Sequence, residues 1–263
     1  MPTISIGDID LHYVDRGSGP VLLLVHGFPL DHTMWKYQLD GLADVARMIA
    51  PDLRGFGRSG VTPGTVSMER YADDLAALLD ALKITEKVVF CGLSMGGYVA
   101  WQFWRKHSSR VAKLIVCDTR GAPDTPEAAK TRLATAERVE KTGARALAEL
   151  MMGKLFAPAT AQKRPKDVEA MRQVILSCPP KGAAAALRGM AERPDATPLL
   201  SSITVPTEVI VGEHDAISPP AEMRGIADAI SQARFVEIMG AGHMAPLERP
   251  DEVNAVIRAL LGR

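Results

Sequence analysis

Two kinds of apolar pattern alternate along this chain. Short, nearly unbroken runs at Val21–Val25, 46–50, 88–92, Val111–Cys117, 207–211 and 234–239 are rich in aliphatic residues and too short for core helices, so they read as strands. Between them, apolar residues return every three or four positions at 35–43, 68–82, 98–107, 221–229 and Pro250–Leu261, the spacing of helices with one buried stripe. Two further short strands, 4–6 and 11–15, precede the first run and meet at Gly7-Asp8. Strands that are apolar throughout need cover on both faces, and the intervening helices supply it. The expectation is an α/β fold, a mostly parallel eight-stranded sheet with helices on both faces. Ligands of such a sheet meet the loops at the strand carboxyl ends.

The alternation stops at Asp118. Residues 121–194 have helical character throughout, rich in Ala, Arg and Glu and punctuated by Pro158, Pro165, Pro179 and Pro180. This segment is expected to be an inserted helical cap. The organisation that follows is a core of residues 1–120, a cap of 121–195 and a second core part of 196–263.

Composition narrows the partners. Lys plus Arg equals Asp plus Glu at 31 each, so there is no overall positive field to gather nucleic acid or an anionic membrane. With 47% hydrophobic residues the chain can bury a large core, and the expected ligand is a small molecule. The three cysteines lack C-x-x-C spacing, and Cys91 and Cys117 fall inside strand-like runs, which suits reduced packing residues. No signal-like segment opens the sequence and the longest apolar runs are far too short for a membrane span, so a cytoplasmic location is the default.

The chemistry centres on Gly92-Leu93-Ser94-Met95-Gly96-Gly97, between a strand and a helix. A serine on so sharp a turn has its hydroxyl pushed above the sheet, and the flanking glycines remove side chains that would collide there. The Met95 backbone N–H lies at the helix start, where the dipole favours negative charge. A serine hydroxyl needs a neutral imidazole to take its proton, and that imidazole needs an orienting acid. His243 in Gly240-Ala241-Gly242-His243 follows the last strand, and Asp215 in Gly212-Glu213-His214-Asp215 follows the one before, both at the carboxyl edge. Asp118 also ends a strand and is the second candidate acid. His26 and His214 flank these loops, and a histidine in a tight polar loop usually makes structural hydrogen bonds. Neither has metal-ligand spacing to another histidine, and neither a metal site nor a cofactor is expected. The loop carrying Arg54 and Arg58 lacks a glycine-rich phosphate motif and reads as structural.

Five ordered segments resemble the α/β-hydrolase superfamily: His26-Gly27-Phe28-Pro29, Asp52-Leu53-Arg54-Gly55-Phe56-Gly57-Arg58-Ser59, and those around Ser94, Asp215 and His243. The order Ser94, Asp215, His243 is that of the superfamily. The resemblance implies an α/β-hydrolase fold with Ser94 as nucleophile, His243 as base and Asp215 as its acid. It also assigns the second oxyanion donor, beside Met95, to the backbone N–H of Phe28. Within the superfamily the chain looks most like small bacterial carboxylesterases, 3-oxoadipate enol-lactonases and cofactor-free haloperoxidase or perhydrolase enzymes. Some proteins of this fold bind a small ligand without turning it over, a reading of another class.

The insert carries no motif that sets the substrate. Met151, Met152, Leu155, Phe156, Met171 and Met190 could line an apolar pocket over Ser94, or could equally pack the cap on the core. An enol-lactone would call for cations there, from Arg132, Arg138, Arg145, Arg172, Arg188 or Arg193, although a solvated helix face is the usual place for each. The expected substrate is a small, mostly apolar ester, with a lactone as the alternative. Because a protonated imidazole cannot act as base, hydrolysis should fall as pH drops through the histidine range near about 6.5. A rate flat from about pH 5 to 8 would exclude His243 as base.

Overall fold

The apolar runs form the sheet. In the computed structural model, which describes residues 2–262, eight strands are present: Thr3–Ile6 (β1), Ile9–Gly17 (β2), Val21–Val25 (β3), Arg47–Pro51 (β4), Val88–Leu93 (β5), Val111–Cys117 (β6), Thr207–Gly212 (β7) and Ala233–Ile238 (β8). They lie in the order β1-β2-β4-β3-β5-β6-β7-β8. β2 pairs antiparallel with β1 and β4, while every pair from β4 to β8 is parallel. Each residue of β3, β5 and β7 is buried, which is why these segments carry no polar alternation.

The helices are Lys36–Gly41 (α1), Met68–Ala81 (α2), Met95–His107 (α3), Pro126–Thr142 (α4), Arg145–Leu155 (α5), Thr160–Lys163 (α6), Pro165–Ser177 (α7), Pro180–Ala191 (α8), Thr197–Leu200 (α9), Pro220–Ala229 (α10), Ala245–Glu248 (α11) and Pro250–Leu261 (α12). α2 packs on α3, and α1 packs on α12, so the sheet is enclosed between helical layers. α4 to α8 all lie between β6 and β7, with α4 on α8 and α5 on α7. Among the described residues no helix is long and apolar enough to cross a membrane.

Two elements depart from the sequence pattern. The helix expected at 35–43 is shortened to α1, and a 3-10 turn at His32–Trp35, capped by Asp31 accepting from the Thr33 N–H, precedes it. α3 starts at Met95 rather than at residue 98, since the chain turns into the helix at Ser94 itself. The four-residue helices α9 and α11 are shorter than any periodic signal.

The loop after β4 is built on buried charge. Asp52 is fully buried, and its carboxylate accepts from the His32 N–H (2.9 Å) and the Arg58 N–H (2.9 Å) while pairing with Nδ1 of His32 (2.6 Å) and of His12 (3.0 Å). Burial alone would raise this carboxyl, but the His32 hydrogen bond and charge and the two N–H groups outweigh it and hold it at about 2. Burial likewise opposes a charged His32, and its pairing with Asp52 wins, raising the imidazole. Arg54, only 1% exposed, forks onto Asp74 through two 2.7 Å bonds and reaches Asp8 and Thr62. The arginine-glycine loop is thus fixed from within, and it carries the Leu53 N–H that holds His26 (2.9 Å) under the Phe28 turn.

A carboxyl whose folded pKa lies below its unfolded value of about 3.9 stabilises the fold above that pH and stops doing so as pH falls through about 2. At pH 5, Asp52 is ionised and His32 protonated, so Asp52→Asn should lower unfolding stability by roughly 2–3 kcal/mol. The difference from wild type should shrink steadily between about pH 4 and pH 2. Chemical denaturation at both ends of that range checks this; a difference unchanged at pH 2 would mean that the carboxylate charge is not the cause.

Candidate active site

Ser94 joins β5 to α3 with φ 53° and ψ −112°, a left-handed backbone that side-chain-bearing residues rarely adopt. The turn is pinned on both sides of the residue. The Ser94 N–H donates to Cys117 O (2.9 Å), and its carbonyl accepts from Thr119 Oγ1 (2.7 Å) and the Gly97 N–H (2.8 Å). A Cβ on Gly92 would come within 2.4 Å of Gly96 O, and one on Gly96 within 2.3 Å of Val25 O. Only glycine allows the strand, the turn and the neighbouring strand to approach this closely.

His243 lies in the loop after β8 and is 2% exposed. Its Nδ1 is 2.9 Å from Asp215 Oδ2, and Asp215 Oδ1 accepts from the N–H groups of Ile217 (2.8 Å) and Ser218 (3.1 Å). A carboxylate acceptor places the ring proton on Nδ1, so the neutral ring presents Nε2 as a proton acceptor. Ser94, His243 and Phe28 line one cavity of about 320 Å³. Among the described residues no hydrogen bond joins Ser94 Oγ to His243 across it. The backbone N–H groups of Phe28 and Met95 have no backbone acceptor among the described residues and are free to receive one from a ligand.

The two candidate acids separate cleanly. Asp118 also has a left-handed backbone (φ 48°), but its Oδ1 accepts from the Gly212 N–H (2.8 Å) and its Oδ2 is buried without a partner. Burial and the nearby charge of Asp215 push its carboxyl well above the usual range. Asp118 is therefore bound to the end of β7, and the carboxyl hydrogen-bonded to His243 is that of Asp215.

The other singled-out histidines and the cysteines fall outside the cavity. His26 Nε2 accepts from Leu53 and its Nδ1 donates to Gly27 O, and full burial lowers its pKa and keeps it neutral. His214 differs from expectation: its ring is half exposed, 3.7 Å from Glu213, and only its backbone N–H is engaged, on Ala241 O. Cys91, Cys117 and Cys178 are free and buried, and the Cys91 contact and burial raise the Cys117 thiol. His12, His32 and Asp52 place donor atoms within 4.8 Å of one another, as a metal site would. Each imidazole Nδ1 is already engaged by its own Asp52 oxygen, which is the geometry of paired hydrogen bonds rather than of ligands around an ion.

The cavity wall comes from α3, α4, α5 and α8 and is mainly Tyr98, Leu147, Leu150, Met151, Leu187 and Met190. Of the insert residues expected over Ser94, Met151 and Met190 line it, whereas Met152, Leu155, Phe156 and Met171 pack elsewhere. Arg138, Arg145 and Arg172 are solvated as expected, but Arg132 and Arg193 turn inward. A larger groove of about 690 Å³, by α6, α7 and the start of α12, contains none of Ser94, His243 or Asp215.

Glu248 was not singled out by the sequence reading. It is 4% exposed and accepts from the Gly242 N–H (2.8 Å) and Met244 N–H (3.2 Å), on either side of His243, and from the Ala157 N–H (2.8 Å) and Thr160 Oγ1. One carboxylate thus ties the histidine loop to the helical insert. The signal available in the sequence is a glutamate five residues after His243, at the end of a segment too short to show periodicity.

Comparison with known proteins agrees with this architecture. A solved thermophilic esterase from Thermogutta terrifontis, with malate bound, is 50% identical, covers 100% of this chain and 98% of its own, and superposes with a TM-score of 0.98. The enol-lactonase of Burkholderia xenovorans LB400 is 29% identical over 100% of both chains, with a TM-score of 0.92. The 3-oxoadipate enol-lactonase 2 of Acinetobacter baylyi is 27% identical over 99% of this chain and 96% of that protein. Residues 20–250, from the edge of β3 to the first residue of α12, match the alpha/beta hydrolase fold, and this chain belongs to that family of hydrolases.

Proposed function

We propose that this protein is a serine hydrolase that cleaves carboxylic ester bonds of small, mostly apolar substrates through an acyl-enzyme. The observation that carries the reading is the Asp215–His243 pair, with His243 lining the same cavity as Ser94. His243 Nε2 takes the Ser94 proton as Oγ attacks the ester carbonyl. The N–H groups of Met95 and Phe28 receive the oxyanion, and each such donor is worth about 100-fold to 1000-fold in turnover. His243 then protonates the leaving alcohol, takes a proton from water as it attacks the acyl carbon, and returns it to Ser94 as the acid departs. Helices α4 to α8 act as a cap that supplies the apolar wall. The cavity volume suits a small substrate. Three free cysteines fit a reducing, cytoplasmic location.

A lactone is the second reading, supported by the full-length similarity to enol-lactonases of Burkholderia and Acinetobacter. The chemistry is the same, with the leaving alcohol kept as part of the ring-opened product.

Hydrolysis of p-nitrophenyl butyrate tests the reading. Ser94→Ala should lower kcat by about 10⁴-fold or more, and Asp215→Asn by about 10⁴-fold. Asp118→Asn should cost less than about 10-fold, because Asp118 bonds the Gly212 N–H and not His243. A larger loss from Asp118→Asn than from Asp215→Asn would transfer the acid's role to Asp118. Turnover surviving Ser94→Ala would exclude the acyl-enzyme, and thermal stabilisation by esters without turnover would favour a ligand-binding protein.

A further inference from the structure

Three main chains meet at Gly242, the residue before His243. A Cβ on Gly212 would come within 2.0 Å of Gly242 O, and one on Gly242 within 2.5 Å of Ala157 N, so the end of β7, the histidine loop and the insert are stacked backbone on backbone. The N–H groups of Gly242, Met244 and Ala157 find no backbone acceptor among the described residues. Glu248 receives all three. Its Oε1 accepts from Gly242 (2.8 Å) and Met244 (3.2 Å), and its Oε2 from Ala157 (2.8 Å) and the Thr160 hydroxyl. The carboxylate is rooted in the core, because α11, which carries it, is held by the buried Gln38, whose Nε2 donates to Pro246 O (3.0 Å).

The two oxygens serve different parts of the site. Oε1 holds the residues on either side of His243, and a proton acceptor misplaced by about 1 Å costs roughly 100-fold in rate. Oε2 holds the chain just beyond α5, the helix that supplies Leu147, Leu150 and Met151 to the cavity wall. A buried N–H stripped of its acceptor is costly, so each segment would shift to find another if the carboxylate were removed. We propose that Glu248 is a positioning residue for the hydrolytic reaction: through Oε1 it fixes the imidazole of His243 for proton transfer, and through Oε2 it fixes the apolar wall that receives the substrate. This rests on the serine hydrolase reading and adds the buried group that keeps base and wall in register.

p-Nitrophenyl butyrate and ethyl butyrate give the same butyryl-enzyme and differ in the leaving group. Nitrophenolate departs without a proton, whereas ethanol must take one from His243, so a displaced imidazole penalises the ethyl ester more, while a smaller folded fraction penalises both alike. Per mole of folded protein, Glu248→Ala should lower kcat for ethyl butyrate by about 100-fold or more, and by about 10-fold more than for the nitrophenyl ester. Glu248→Gln separates the two roles. Its amide NH2 can be received only by the Thr160 hydroxyl, which leaves its carbonyl on Gly242 and Met244 and Ala157 without an acceptor. It should therefore keep the ratio of the two esters within about 3-fold of wild type and raise KM for both by about 5-fold, the cost of one hydrogen bond. Thr160→Val, which removes a donor on the same side, should raise KM in the same way and leave the ratio alone. Equal losses on both esters in Glu248→Ala, a ratio moved by Glu248→Gln, or a KM unmoved in either milder variant overturns the positioning role and leaves the serine hydrolase standing. If Glu248→Ala does not fold, the two milder variants decide by the same criteria. Failure of the wild type to hydrolyse either ester overturns the hydrolase reading instead, and amide hydrogen exchange followed by mass spectrometry then decides the positions: Glu248→Gln should speed exchange in peptides covering 155–160 and leave those covering 241–245 protected, and unchanged exchange at 155–160, or equal speeding of both, overturns the assignment.

Discussion

The left-handed backbone of Ser94 is the constraint on which the rest of this structure depends. A side-chain-bearing residue held at φ 53° costs on the order of 1–3 kcal/mol, and it persists only where the surroundings over-determine it. Here they do. β5 enters the turn fully buried between β3 and β6, the carbonyls of Cys117 and Ser94 are both engaged across it, and Gly92 and Gly96 remove every alternative by letting backbone touch backbone. The strain places one hydroxyl above the sheet edge and one free N–H beside it. That pairing is the element the proposed chemistry needs first.

Around that fixed point the loops are secured by buried carboxylates, each with a different task set by its surroundings. Asp52 is kept ionised by an imidazole and two N–H groups and stiffens the loop beneath Phe28. Glu248 grips the residues flanking His243 and the start of the α6 segment. Asp215 faces the imidazole, while burial and the nearby Asp215 charge push the Asp118 carboxyl upward. Asp124 repeats the theme in the insert, holding two arginines.

Much of this was legible in the sequence, for definite reasons. The strands buried on both faces announce themselves as unbroken apolar runs, and Val21–Val25 and Val111–Cys117 fall where their patterns place them. Gly92, Ser94 and Gly96 encode a backbone shape, so a short string suffices to find it. The pairing of His243 with Asp215 rather than Asp118 was expected from local context and is what the hydrogen bonds show. The insert was read far less well. Arg132 and Arg193 look like any solvated helix cation, because what turns them inward is Asp124 on a preceding loop and Tyr98 on α3, contacts that exist only after folding. Glu248 escaped notice for a similar reason: two of its four donors come from a distant segment, at Ala157 and Thr160.

The central claim is that Ser94 forms a covalent intermediate, and trapping it is the most direct test. The protein would be incubated with diethyl p-nitrophenyl phosphate, its intact mass measured, and the modified peptide sequenced by fragmentation. The account expects one diethylphosphoryl group on Ser94, release of one equivalent of p-nitrophenol, and matching loss of ester hydrolysis. Hydrolysis that continues undiminished with Ser94 unmodified, or an adduct confined to another residue, would contradict it.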